Sequence, residues 1–135
     1  MVSAKYVFSL AALALAATAA PVPKMQPEAA SLEKRSYTGR ATFYAAGLGN
    51  CGWHNSGSDM IVALNTAQYG STNQKSSHCG QKVRIHHDGK TQTATVADSC
   101  PTCPMGALDM SKALFGALTN GNFDLGEFQM TWEFI

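Results

Sequence analysis

The 135-residue chain is 45% hydrophobic and only 14% charged, with a formal net charge of +1. That balance excludes a disordered charged tail, and it leaves no surplus of cations to hold nucleic acid by its phosphates. The length suits one domain, and the only apolar run long enough to raise the question of a membrane span lies at the very start.

That run, Met1 to Ala20, carries one early cation at Lys5, an uncharged core from Tyr6 to Ala17, and the small residues Ala17-Thr18-Ala19. It reads as a secretory signal peptide over 1–19, released before Ala20; the core is too short for a span and no cationic stop-transfer flank follows. Residues 20–35 read as a spacer with Pro21, Pro23 and Pro27, no apolar period, and a closing dibasic pair, Lys34-Arg35, at which a secretory-pathway protease is expected to cut. The mature domain is then 36–135, with six cations against seven anions, no Asn-X-Ser/Thr sequon and no membrane attachment. All four cysteines, Cys51, Cys79, Cys100 and Cys103, fall inside it. An even count in a small secreted domain points to disulfides, and spacing leaves their pairing open.

The mature part reads as short strands separated by turns. Ala41 to Tyr44 is the first, followed by a long polar loop punctuated by Gly47, Gly49, Gly52 and Gly57. Ile61 to Leu64 is a continuous apolar run of the kind a buried strand shows. From Gln81 to His87 apolar and polar residues alternate, and Thr91 to Val96 is rich in β-branched residues. Asp88-Gly89 between them signals a hairpin, because both central residues of its tight turn take positive φ. His86 and His87 abut this turn and are expected to be solvated. Ser111 is a helix cap, with Leu114, Phe115 and Leu118 on one face and Asn120-Gly121 as the stop. Phe128, Met130, Trp132 and Phe134 alternate with polar residues in a terminal strand, which places Trp132 in the core. Many short strands, one short helix and no βαβ rhythm predict a small all-β closed barrel with a helical insert.

Two carboxylates stand out. Asp98 closes Thr95-Val96-Ala97-Asp98 and runs into the cysteine-bearing turn Cys100-Pro101-Thr102-Cys103; Asp109 sits just before the helix, where the macrodipole favours an anion. A carboxylate held by a rigid turn is better placed for acid–base or sugar-binding work than one on a mobile surface. Zinc chemistry at the Cys-x-x-Cys lacks a second ligand pair, and the four histidines are not at ligand spacing, so neither metal nor cofactor is expected.

Seven segments in order resemble those of expansin-like double-psi β-barrel proteins, which include the single-domain loosenins and the wider rare-lipoprotein-A-like superfamily. They are Gly39-Arg40-Ala41-Thr42-Phe43-Tyr44, Asn50-Cys51-Gly52, Ser58 to Asn65, Cys79 to Val83, Val96 to Pro101, Ala107-Leu108-Asp109-Met110-Ser111, and Thr131-Trp132. The resemblance implies a six-stranded double-psi barrel and the pairings Cys51 with Cys79 and Cys100 with Cys103. It further implies that Thr42, Asp98 and Asp109 line one end of a shallow open groove, with Asp109 as proton donor or strong hydrogen-bond partner; Asp98 itself is expected to anchor its strand to the cystine turn and to accept a hydrogen bond from Thr42. Tyr44 stands where a second threonine is common, and Cys100 where bacterial expansins carry an aromatic, so stacking on sugar is assigned to Tyr44, Trp53 or Tyr69.

The function so implied is a secreted monomer that binds wall polysaccharide of the cellulose or chitin type and loosens it without hydrolysis. Related family-45 glycoside hydrolases carry their base where this chain has Ala46, which reduces hydrolysis to a weak endoglucanase alternative with Asp98 substituting. Lytic transglycosylases of this superfamily need a histidine where Asn65 stands. The rival reading is a protein-binding barrel: an inhibitor of a secreted cysteine protease, or a defence or host-interaction protein. The chain closes just after its last strand, so the second domain of full expansins is expected to be absent.

Overall fold

The computed structural model describes residues 35–135; the expected signal peptide and spacer lie outside the described residues, up to Lys34. Six strands, β1 (Ser36–Phe43), β2 (Ile61–Asn65), β3 (Lys82–His87), β4 (Lys90–Cys100), β5 (Leu108–Met110) and β6 (Phe128–Phe134), close into a barrel in the order β1-β5-β2-β4-β3-β6. The β1·β5 and β2·β4 pairings are parallel and the other four antiparallel. This is the all-β, six-stranded double-psi architecture that the resemblance implied. A one-turn helix, α1 (Thr66–Tyr69), follows β2, and α2 (Lys112–Thr119) follows β5. Among the described residues no helix is long and apolar enough to cross a membrane.

The predicted alternation is visible where strands pack on one face. In β6, Phe128, Met130 and Trp132 are buried while Gln129 and Thr131 are exposed, and in β3 Val83 and Ile85 are buried. Asp88 and Gly89 take φ of 50° and 78°, the doubly positive turn that their sequence announced. The Ser111 Oγ accepts from the Leu114 N–H at 3.4 Å, and Asn120 ends α2 in the left-handed conformation. The core joins the inward residues of all six strands to Leu114, Phe115 and Leu118 of α2.

Trp132 is fully buried, and its indole Nε1–H donates to the Gly106 carbonyl at 2.9 Å, satisfying a donor that would otherwise be stranded. Here two backbones meet: a Cβ on Gly39 would lie 2.2 Å from the Gly106 oxygen, and one on Gly106 would lie 2.5 Å from the Thr38 oxygen. Only glycine permits this approach.

Four features depart from the sequence reading. Strands β1 and β4 are longer than expected, and β5 is a strand of three residues within a segment read only as the approach to a helix. The polar loop folds back on itself through a Leu48–His54 bridge. His86 and His87 keep exposed faces at the turn, as expected, but are also held by neighbours that the sequence did not show. His86 Nε2 lies 3.1 Å from Glu133 Oε1, and the His87 ring sits 4.0 Å from that of Phe128. Cys51–Cys79 and Cys100–Cys103 are the two disulfides, with no free cysteine among the described residues.

Candidate functional site

Register brings the singled-out residues together. Thr42 of β1 pairs with Asp109 of β5, Asp109 pairs with Ala63 of β2, and Ala63 pairs with Asp98 of β4. Paired residues share a face of a sheet, so Thr42, Asp109, Ala63 and Asp98 form one row across four adjacent strands, on the outer side of the barrel. Asp98 joins that row because of a register shift between Val62 and Ala63: Val62 faces Val96, but Ala63 faces Asp98, leaving Ala97 as an extra residue in β4. The bulge re-aims the carboxylate from the core side to the groove side.

Thr42 Oγ1 donates to Asp109 Oδ1 at 2.8 Å. The expected bond from Thr42 to Asp98 is therefore corrected, since Asp109 is the immediate cross-strand neighbour of Thr42. Asp109 is also not a helix cap: it lies within β5, and Ser111 does the capping. Asp98 Oδ1 instead accepts from the backbone N–H of Asn50 at 2.7 Å and of Ser99 at 2.8 Å. Asn50 Nδ2 continues to the Thr72 carbonyl at 2.9 Å and Ser99 Oγ at 3.2 Å, and Cys51 is tied to Cys79. Asp98 is thus the post to which the folded-back loop is fastened. Gly49 allows the approach, because a Cβ there would lie 2.4 Å from the Ala97 oxygen. Asn50 and Gly49 went unread as site residues; the Asn50-Cys51-Gly52 segment was the available signal.

Tyr44 is half-buried over a floor of Ala63, Ala107 and the Cys100–Cys103 disulfide. Burial first, then the charges of Asp98 and Asp109, push its phenol above the usual tyrosine range. Next to it opens a cleft of about 490 Å³ lined by Phe43, Tyr44, Ala45, Ala46, Gly57 and Lys112. Ala46, at the expected hydrolase base position, contributes a methyl group to this cleft. Of the other two expected stacking residues, Trp53 is 41% exposed, with Lys75 Nζ 5.6 Å from its ring centroid. Tyr69 is a correction: it is 3% exposed and packs in the core, its hydroxyl donating to the Gln74 carbonyl at 3.2 Å, so it has no free face for a sugar.

The two carboxylates differ in what surrounds them. Burial raises the pKa of Asp109, against the opposing effects of the Thr42 hydrogen bond and the Arg40 charge, and the nearby Asp98 adds to the rise. A carboxyl shifted upward is a proton donor over more of the acidic range, while the same group still accepts from Thr42. Asp98, with one oxygen held by two backbone N–H groups, is built to stay in place.

Asn65 is fully buried, capping α1 by accepting from Gln68 N–H at 3.0 Å and donating to the Ala107 carbonyl at 3.0 Å. It is a structural pin between β2 and the approach to β5. Among the described residues no group of three or more His, Cys, Asp or Glu is placed to hold a metal ion.

The Streptomyces papain inhibitor superposes with a TM-score of 0.66 and 30% identity over 75% of this chain and 94% of its own. The chain belongs to the expansin-like double-psi barrel superfamily. Within it, the expansin of Clavibacter michiganensis superposes at a TM-score of 0.64 with 28% identity, over 75% of this chain and 50% of that one. A variant of that expansin has been solved in complex with cellohexaose. By sequence, the allergen Asp f 7 homolog of Arthroderma benhamiae is 42% identical over 79 residues, 58% of this chain. This expansin-like chain spans only 27% of that relative's length. No established family signature matches the chain.

Proposed function

We propose that this protein is a secreted expansin-like barrel that binds wall polysaccharide along the Thr42–Asp109–Ala63–Asp98 row and weakens it without net hydrolysis. The observation that carries the reading is the Asp109 carboxyl, half-buried, bonded to Thr42 and raised in pKa, in a row whose neighbour Tyr44 also lines the open cleft. Glycan chains adhere to one another by hydrogen bonds and stacking, each worth about 0.5–1.5 kcal/mol net. A protonated Asp109 donates to a hydroxyl or glycosidic oxygen while Thr42 fixes its other oxygen, and Tyr44 supplies the adjoining ring. Such contacts compete with interchain bonds, one sugar at a time. Two features support the non-hydrolytic reading: Ala46 brings no carboxylate to the position of the family's base, and Asp98 Oδ1 is committed to fastening a loop. The expansin solved with cellohexaose lends support from a relative of the same fold.

The test is mechanical and chemical together. The secreted protein should lower the breaking force of cellulose paper or chitin film while releasing no soluble reducing sugar above background. Sugar release in proportion to weakening would replace this reading with the endoglucanase one.

A second reading has its own support. The papain inhibitor of Streptomyces mobaraensis is 29% identical over 133 residues, 92% of its length. Inhibition of papain at stoichiometric concentration, with no effect on cellulose or chitin, would favour a protease partner. In either case four paired cysteines fit an oxidising, extracellular setting. Intact mass of the secreted protein is expected to place its N-terminus at Ser36, after Lys34-Arg35; a terminus at Ala20 or Pro21 would remove the processing step from the proposal.

A further inference from the structure

A second cleft, of about 420 Å³, lies around the β3–β4 turn, lined by the turn itself and by Thr38, Gln129 and Thr131. Its base is another row built by register. Thr38 of β1 pairs with Thr131 of β6, Thr131 with His86 of β3, and His86 with Thr91 of β4. The barrel order sets β6 and β3 opposite β5 and β2, so this row faces away from Asp109.

The cleft's polar groups fall into two sets. His86 is engaged, with Nδ1 3.0 Å from Thr91 Oγ1 and Nε2 3.1 Å from Glu133 Oε1. His87 is oriented: its Nδ1 lies 3.0 Å from the Gln129 carbonyl and one ring face rests on Phe128. A carbonyl only accepts, so Nδ1 carries the proton, and in the neutral ring Nε2 is left as an acceptor. The side chains of Thr38, Gln129 and Thr131 make no hydrogen bond to the described residues. The two charged residues of the lining, Asp88 and Lys90, cancel. Donors and acceptors without net charge, beside a fixed planar ring, match the hydroxyls and ring face of a neutral sugar. A phosphate would need surplus cations, which this lining does not supply.

We propose that this cleft is a second carbohydrate subsite, in which Gln129, Thr131 and the outer edge and face of His87 take a neutral, hydroxyl-rich sugar. Each molecule then carries two glycan-binding faces directed away from each other, and holds two polysaccharide chains at once instead of sliding along one.

The experiment is a titration of the isotopically labelled full-length protein with cellohexaose and, separately, chitohexaose, reading backbone amide shifts. Saturable shifts are expected at His87, Gln129 and Thr131, in addition to those near Asp109. Gln129→Ala with Thr131→Val should weaken the cleft response about tenfold and leave the Asp109 response unchanged, and Gln129→Ala alone should do so by a smaller factor. Both substitutions are at exposed strand positions and should preserve the spectrum of the folded protein. Shifts confined to the Asp109 row would overturn the second subsite and leave the groove reading standing. Shifts confined to the cleft would support the subsite and remove the groove. No shift with either sugar would overturn both.

Discussion

Two rows of four residues run from β1 around the barrel in opposite directions, Thr42–Asp109–Ala63–Asp98 one way and Thr38–Thr131–His86–Thr91 the other. They are built by the same device, cross-strand register on an outer face, yet their chemistry diverges. The first row is roofed by Tyr44, floored by the Cys100–Cys103 disulfide and edged by the loop fastened to Asp98; the second lies open except for a two-residue turn. Cover, more than residue type, raises the pKa of Asp109. The strand pattern positions polar groups, and the connections between strands decide what those groups can do.

The strongest way to break the comparison is to open the barrel under both rows. Gly39→Ala forces a Cβ to 2.2 Å from the Gly106 oxygen, backbone against backbone with no flexible atom to yield. A loss of about 3 kcal/mol or more is expected, and both rows should fail together. Gly47→Ala is the control, since nothing lies within 4 Å of a Cβ there; its melting temperature should match the parent. Equal stability of the two variants would show that the barrel closes in some other way.

The disulfides separate the rows. Cys51–Cys79 spans 28 residues and Cys100–Cys103 only 3, so the chain-entropy argument gives about 3.5 kcal/mol for the first and about 2 kcal/mol for the second. Replacing Cys51 and Cys79 by serine should therefore lower denaturant stability more. Replacing Cys100 and Cys103 should disturb the first row more per kcal/mol lost, because that bridge is the floor beneath Tyr44. Neither pair touches the second row, where amide spectra are expected to stay unchanged. Loss of the β3–β4 turn signals in either variant would mean that the rows are coupled.

Much of this was legible in the residues, and what was not has definite causes. The alternation of β3 and β6, the Asp88-Gly89 turn and the Ser111 cap are local signals, and each was read correctly. Strand β5 holds three residues, too few to show a period of two, so Asp109 read as a helix neighbour. The extra residue at Ala97 is invisible without the partner strand, and with it went the choice between Asp98 and Asp109 as the acceptor from Thr42. Tyr69, assigned to sugar stacking but equally readable as an ordinary loop or core aromatic, is core because the surrounding chain folds over it, which no local pattern shows.

The smallest stability effect, and the sharpest test of the first row, is Asp109→Asn. Because the folded-state pKa of Asp109 is raised above its unfolded value, its contribution favours the fold fully below the unfolded pKa of 3.8 and is lost as pH rises through the higher folded value. Asparagine keeps the shape and an oxygen to accept from Thr42 but has no charge to bury. The variant should therefore gain melting temperature relative to the parent as pH climbs from about 3 toward neutrality, by a small amount because solvent screens this half-exposed group. Glycan weakening should be lost across the same range, since the amide is not a proton donor of the same strength. In the parent, weakening should be strongest at acid pH and fall as Asp109 ionises. A variant less stable than the parent at neutral pH would mean that the ionised carboxylate supports the fold, and the assignment of Asp109 as the row's proton donor would fall with it.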